Sequence, residues 1–302
     1  DAVEVLERFE RQRKAKLKQV FLNPLSLKLP LFYPEPWMAR QINIARLLFS
    51  FPVFWCWLLL MIPAVTLTAM HWKPLTENLS DQILNTHNLF IAWCVYPIVK
   101  AIHEWSHALA VKRWGGVVRE AGLMFLVFTP VPYVDATDSY GFANKWQRAT
   151  VAAAGIMAEL ALGAVAICVW TLAEPGVVRA IAYNVVIIAG VSTLMVNGNP
   201  LMRYDGYFVL SELLEIPNLA QRSTKYWTYL VDRYVFRAQL AKSPVHGPGE
   251  TKVFLIYGAI APIYRLFIAL GLAWFVAEEY FIFGAIIALA GVWTSLIKPL
   301  WN

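Results

Sequence analysis

Six stretches of about 20 mostly apolar residues, roughly 46–70, 89–111, 147–173, 177–202, 252–276 and 280–297, constrain this chain more than any other feature. Each is long enough for a helix to cross the ~30 Å hydrocarbon layer of a bilayer. Composition agrees, since 59% of the 302 residues are hydrophobic, 15% are charged and 13 are Trp, an apolar excess over what one soluble core uses. The expected fold is an all-α multi-pass membrane protein of about six transmembrane helices.

Charge then sets orientation. Nine Lys and Arg precede the first apolar stretch (Arg8, Arg11, Arg13, Lys14, Lys16, Lys18, Lys28, Arg40, Arg46), whereas the loop after it holds Lys73 alone. Basic loops stay on the cytoplasmic side, and the alternation continues, with five Lys and Arg after the second stretch (Lys112 to Arg148) and seven after the fourth (Arg203 to Lys252). Both termini of the chain are therefore expected to be cytoplasmic. The net charge of +6 belongs to these loops and does not call for nucleic acid. Even "RSTKYWTYLVDRYVFRAQLAK", which mixes rings with cations, has the composition of a helix at lipid headgroup level. Cys56, Cys94 and Cys168 lie within spans and read as packing residues. The chain begins at Asp1 without Met and is read as part of a longer protein.

Four regions follow. Residues 1–45 combine a basic amphipathic helix with a Pro-rich extended connector. Residues 46–211 form a core of four spans plus a segment at 117–145. Residues 212–250 are cytoplasmic and interfacial, and residues 251–302 are a final helix pair. The 117–145 segment cannot span: its apolar run, Ala121 to Val134, is short and contains Pro130 and Pro132, so a hairpin or re-entrant segment is expected. Such backbone is tolerated at membrane depth only against protein or a water-filled cavity.

The second stretch carries "AIHEWSHALA". His107 lies about 40° around a helix from His103, one turn on, so both imidazoles share a face, and Glu104 lies about 60° to the other side. Two imidazoles at this spacing can chelate zinc, and the neighbouring carboxylate can take a proton from water. Ionisable groups within a membrane are costly and mark function. The competing reading is a hydrogen-bonded core pair.

Tetrahedral zinc needs a third protein ligand. His71 and His87 belong to an outer loop and His246 to a cytoplasmic one, but the fourth stretch ends in "NGNPLMRYDGYF" on the side where the histidines lie. Pro200 ends or kinks the helix and Gly206 permits a tight turn, so Asp205 can be aimed into the bundle. The alternative is that Asn-Pro and Asp-Gly only form the turn leaving the membrane.

His103-Glu104-x-x-His107 followed by Asn197-x-x-Pro200-x-x-x-x-Asp205-Gly206 resembles the site-2 protease family of intramembrane zinc metalloproteases, over roughly residues 46–215. "NPLMRYDGYFVLSELLEIPNL" is similar to the bacterial peptide zinc metalloprotease subgroup, with Tyr204 where better-known members often carry leucine. The resemblance implies zinc on His103, His107 and Asp205, and Glu104 as general base and then acid. It implies that Asn197 holds substrate or orients the site. It also brings Glu159, in "AGIMAEL", toward the active site, although an acid hydrogen-bonded to a neighbouring helix fits the sequence equally. Asp135, with Thr137 and Asp138, edges the expected cavity or makes a turn. The hairpin before them offers a strand edge to which an unwound substrate would add.

The expected function is that of an intramembrane zinc metalloendopeptidase. It would hydrolyse a membrane-associated protein or peptide near the cytoplasmic side of the bilayer, in a bacterial inner membrane. The alternative is a protease-fold subunit of a secretion or efflux assembly with a membrane-fusion-type partner, as the resemblance suggests. A di-iron oxygenase built on histidine boxes is excluded by counting, because such a site needs roughly eight histidines and the chain has five.

Overall fold

The computed structural model describes residues 26–77, 85–126, 129–238, 242–278 and 280–294. The basic helix expected at 1–22 lies outside them. Among the described residues the chain divides into two compact units, residues 1–142 with 157–190 and residues 143–156 with 191–302.

The first described element is a strand, β1 (Ser26–Phe32), within the connector expected to be extended. Leu27, Leu29 and Leu31 alternate with Ser26, Lys28 and Pro30, which is strand periodicity. The expected hairpin is present as β2 (Ala121–Leu126) and β3 (Thr129–Val134), and β1 joins it to make an antiparallel sheet of order β1-β2-β3. Gly122 sits where a Cβ would run into the Leu29 carbonyl, so the close β1–β2 approach requires glycine.

Short helices α1 (Glu35–Arg40) and α2 (Ile42–Leu48) lead to α3 (Phe51–Met70), then α4 (Trp72–Thr76) and α5 (Thr86–Arg113). The Asn85 side chain caps α5 by accepting the His87 N–H at 2.9 Å. Glu35 ties α1 to the other end of α5, accepting from Lys112 Nζ and from Val118 N. The next helices are α6 (Lys145–Leu172) and α7 (Val177–Ile187), which continues as a π-helical segment, Ile188–Asn197. α5 packs on α7 through Ile91, Val95, Val99 and Ile188, while Ala64, Leu75, Ala164, Ile167, Trp170, Ala182 and Tyr183 make a second core.

In the second unit, α8 (Asp205–Leu214), α9 (Leu219–Tyr234), α10 (Glu250–Ala277) and α11 (Phe281–Val292) follow. α9 is amphipathic and buries Leu219, Ala220, Ser223 and Tyr226 against Phe254 and Tyr257 of α10. Gly284 and Gly291 let α11 approach α10, since a Cβ at either would meet Ala277 or Ala269.

Among the described residues, four of the six expected spans are helices both long and apolar enough to cross a membrane: Phe51–Met70, Lys145–Leu172, Val177–Asn197 and Glu250–Ala277. The other two differ for physical reasons. α5 has the length, but Lys100, His103, Glu104 and His107 lower its hydropathy. α11 is apolar over 12 residues, and residues 295–302 lie outside the described set. The spans keep large side chains exposed, among them Leu59, Ile62, Ile263 and Trp274, as surfaces facing lipid do.

Candidate metal centre

In the first unit, α5 turns both imidazoles inward, leaving His103 and His107 4% and 8% exposed. Their Nε2 atoms face each other at 3.1 Å, with rings 4.7 Å apart and inclined at 71°. Two nitrogens about 2.05 Å from one tetrahedral ion would be about 3.3 Å apart, so this pair is spaced to share a zinc. The other nitrogen of His103, Nδ1, lies 3.1 Å from Glu159 Oε1, on α6. A carboxylate there favours the tautomer with the proton on Nδ1 and leaves the Nε2 lone pair for a metal, the usual outer support of a zinc-bound histidine. On donor chemistry and spacing the two histidines fit zinc.

Glu159 is fully buried and also accepts from Lys100 Nζ at 2.5 Å. Sequence reasoning missed Lys100. An ammonium three residues before His103 in an otherwise apolar run was the available signal, since a charge in a membrane helix needs a partner. The structure thus brings together the two readings left open for Glu159: it pairs with a neighbouring helix, and it does so at a histidine of the site.

Glu104 Oε2 accepts the backbone N–H of Val134 at 3.0 Å, which fixes the carboxylate against β3. By strand alternation, the outward N–H positions of β3 are 130, 132 and 134, because Asp135 N turns the other way to bond Glu120 O. Pro130 and Pro132 have no N–H, and Val134 gives its own to Glu104. This edge can accept but not donate, so an added strand would find only half a ladder there. The Tyr133 phenol donates to Glu120 Oε1 at 2.5 Å. Burial and that bond push its pKa up to about 12, so it stays a neutral donor at ordinary pH. Asp135 Oδ1 accepts from Thr137 N at 3.1 Å and Thr137 Oγ1 at 2.6 Å, the pattern of an Asx turn.

In the second unit, Asp205 is the first residue of α8, and Asn197 closes the π-helical segment. Asn197 Nδ2 donates to Asp205 Oδ2 at 3.1 Å, so the two motif residues address one another. The loop between is held by Leu201 N on Asn199 Oδ1 and by Tyr257 OH on the Pro200 carbonyl. Gly206 is needed for close approach rather than for an unusual dihedral, since a Cβ there would strike the backbone of Gly198 and Asn199. Gly206→Ala is expected to cost about 1–3 kcal/mol, as overpacking does. Thermal unfolding against a surface Gly→Ala control such as Gly141→Ala, where no atom lies within 4 Å, checks this.

The site residues therefore fall in two groups. His103, Glu104, His107 and Glu159 stand in the first unit, and Asn197 and Asp205 in the second. Residues 91–237, which contain every one of them, match a known family. The matched family is peptidase family M50. It is a family of membrane metallopeptidases, zinc-dependent in general, and this match together with the four apolar helices supports a multi-pass membrane protein and a protease. The match starts inside α5 and ends after α9, leaving β1, α3, α10 and α11 outside it. Comparison with curated proteins gives no match, and neither does comparison with solved structures.

Proposed function

We propose that the protein is an intramembrane zinc metalloendopeptidase that hydrolyses a peptide bond of a membrane-associated protein or peptide near the cytoplasmic side of the bilayer. The observation that carries this reading is the pair of buried imidazoles with Nε2 atoms 3.1 Å apart, with Glu104 one residue from His103 on the same helix. His103, His107 and Asp205 are the three ligands in this proposal. Zinc, when bound, supplies the Lewis acidity that polarises a carbonyl and acidifies water.

The chain's own groups supply the rest. Glu104, oriented by the Val134 N–H, receives a proton from the attacking water and returns it to the departing amine. Asn197 holds Asp205 by its amide, and Glu159 holds His103 in the tautomer a metal needs. The distribution of Lys and Arg supports both ends of this chain lying in the cytoplasm, and the likeness to the bacterial peptide zinc metalloprotease subgroup supports a bacterial inner membrane.

Elemental mass spectrometry of the detergent-purified chain tests the ligand set. The expected result is about one zinc per chain, lost in both His103→Ala and Asp205→Ala. Zinc retained by Asp205→Ala would remove Asp205 from the set. No zinc in unchelated parent protein would favour a protease-fold subunit of a secretion or efflux assembly, acting with a membrane-fusion-type partner.

A further inference from the structure

A cavity of about 380 Å³ opens in the first unit among Pro74 of α4, Asn88 in the first turn of α5, Trp170 of α6, and Gly176, Arg179 and Tyr183 around the start of α7. Asn88 lies about 22 Å along α5 from His103, so this is not the metal centre. α6, and α7 with its π-helical continuation, are each long and apolar enough to cross a membrane. Trp170 and Arg179 stand within three residues of the loop that joins them. Such a loop emerges at headgroup level, where Trp and Arg are favoured.

The floor of the cavity is fixed. Trp170 and Tyr183 are buried, the His71 ring meets Trp170 edge-on at 5.9 Å, and Tyr183 OH donates to the Leu75 carbonyl at 3.1 Å. The Arg179 guanidinium lies over the Trp170 ring, 4.9 Å from its centre. A ring face attracts the charge but offers no acceptor to the N–H groups in the guanidinium plane. Among the described residues Arg179 makes no hydrogen bond and no ion pair.

We propose that this cavity binds the headgroup of an anionic phospholipid of the phosphatidylglycerol type, with Arg179 on its phosphate. The inference rests on the membrane reading and is independent of the zinc site. A planar guanidinium matches phosphate in geometry and charge. One water occupies about 30 Å³ in the liquid, so the cavity has room for about a dozen, and a bare phosphate would leave most of it unfilled. Beside it, Leu172 is 87% exposed and Val177 and Val178 are 61% exposed, an apolar flank along which acyl chains can lie. A ligand that is anionic at one end and hydrocarbon at the other uses both features. No Asp or Glu lines the cavity, so the ammonium of a zwitterionic headgroup finds no partner in its walls.

Native mass spectrometry of the full chain in detergent tests this, with dioleoylphosphatidylglycerol, dioleoylphosphatidylcholine and glycerol 1-phosphate as probes. Phosphatidylglycerol is expected to bind at least about tenfold more tightly than either of the others, as a charge-assisted hydrogen bond would give. Arg179→Gln should weaken it by a similar factor. Gly176 lines the cavity and a Cβ there meets open space, so Gly176→Phe should obstruct the site and weaken the lipid while keeping Arg179. Lys225→Gln removes an exposed cation of α9 and should leave binding within about twofold. Zinc content should stay parental in all three variants.

Phosphatidylglycerol binding that survives both Arg179→Gln and Gly176→Phe overturns the site. Equal binding of phosphatidylcholine reduces it to acyl-chain packing and overturns it too. Glycerol 1-phosphate binding as tightly as the lipid would assign the cavity to a soluble phosphate ester instead. Should Arg179→Gln unfold early in lipid-free detergent, Gly176→Phe decides: loss of the lipid upholds the site and retention sinks it.

Discussion

Glu104→Gln is expected to lower kcat/KM for peptide hydrolysis by about 10²–10⁴-fold, the contribution of a positioned acid–base group. Zinc content and unfolding temperature should stay at parental values. The reason for the split lies in what the substitution keeps. Glutamine retains an oxygen that accepts the Val134 N–H, so the contact between α5 and β3 survives. It has the same volume and leaves His103 and His107 untouched, but an amide cannot take a proton from water near neutral pH. A variant that loses zinc or unfolds early would mean that Glu104 is structural. One that hydrolyses at the parental rate would move the base elsewhere.

Glu159→Ala is expected to give the largest loss of stability, about 3–5 kcal/mol. Glu159 is fully buried and serves both Lys100 and His103, so its removal leaves an ammonium in the interior with no counter-charge. Breaking one side of a buried pair is more costly than removing both, and Lys100→Met with Glu159→Leu should recover much of the loss. Unfolding of chelated protein in detergent is the appropriate measurement, because it separates the pair's own contribution from any stabilisation by metal. The double variant, though stable, should bind zinc less tightly than the parent, by roughly 10–100-fold, since His103 has lost the carboxylate that orients it. Parental zinc affinity in that variant would make the Glu159–His103 contact incidental.

These expectations draw on different depths of information. The face shared by His103 and His107, with Glu104 beside them, follows from helical periodicity within five residues. The structure adds distances to that arrangement without altering it. Asn197 and Asp205 lie eight residues apart at the two ends of one loop, and the motif was legible in the sequence, whereas the hydrogen bond between them came only with the structure. Membrane character followed from composition, because bilayer thickness sets span length directly. The number of spans is less plain, since Lys100, His103, Glu104 and His107 take α5 out of the class of plainly apolar helices.

What the sequence by itself determined is local: which helices are apolar, which residues share a face, where a strand-like alternation or a proline breaks the pattern. What only the tertiary structure decided is pairing across long separations in the chain. Lys100 finds Glu159 at 59 residues' distance, Glu104 finds the Val134 N–H at 30, and β1 finds β2 across nearly a hundred. No periodicity encodes these contacts. They form because a charge or an N–H shut away from water needs a partner, and the packed fold determines which one lies within reach.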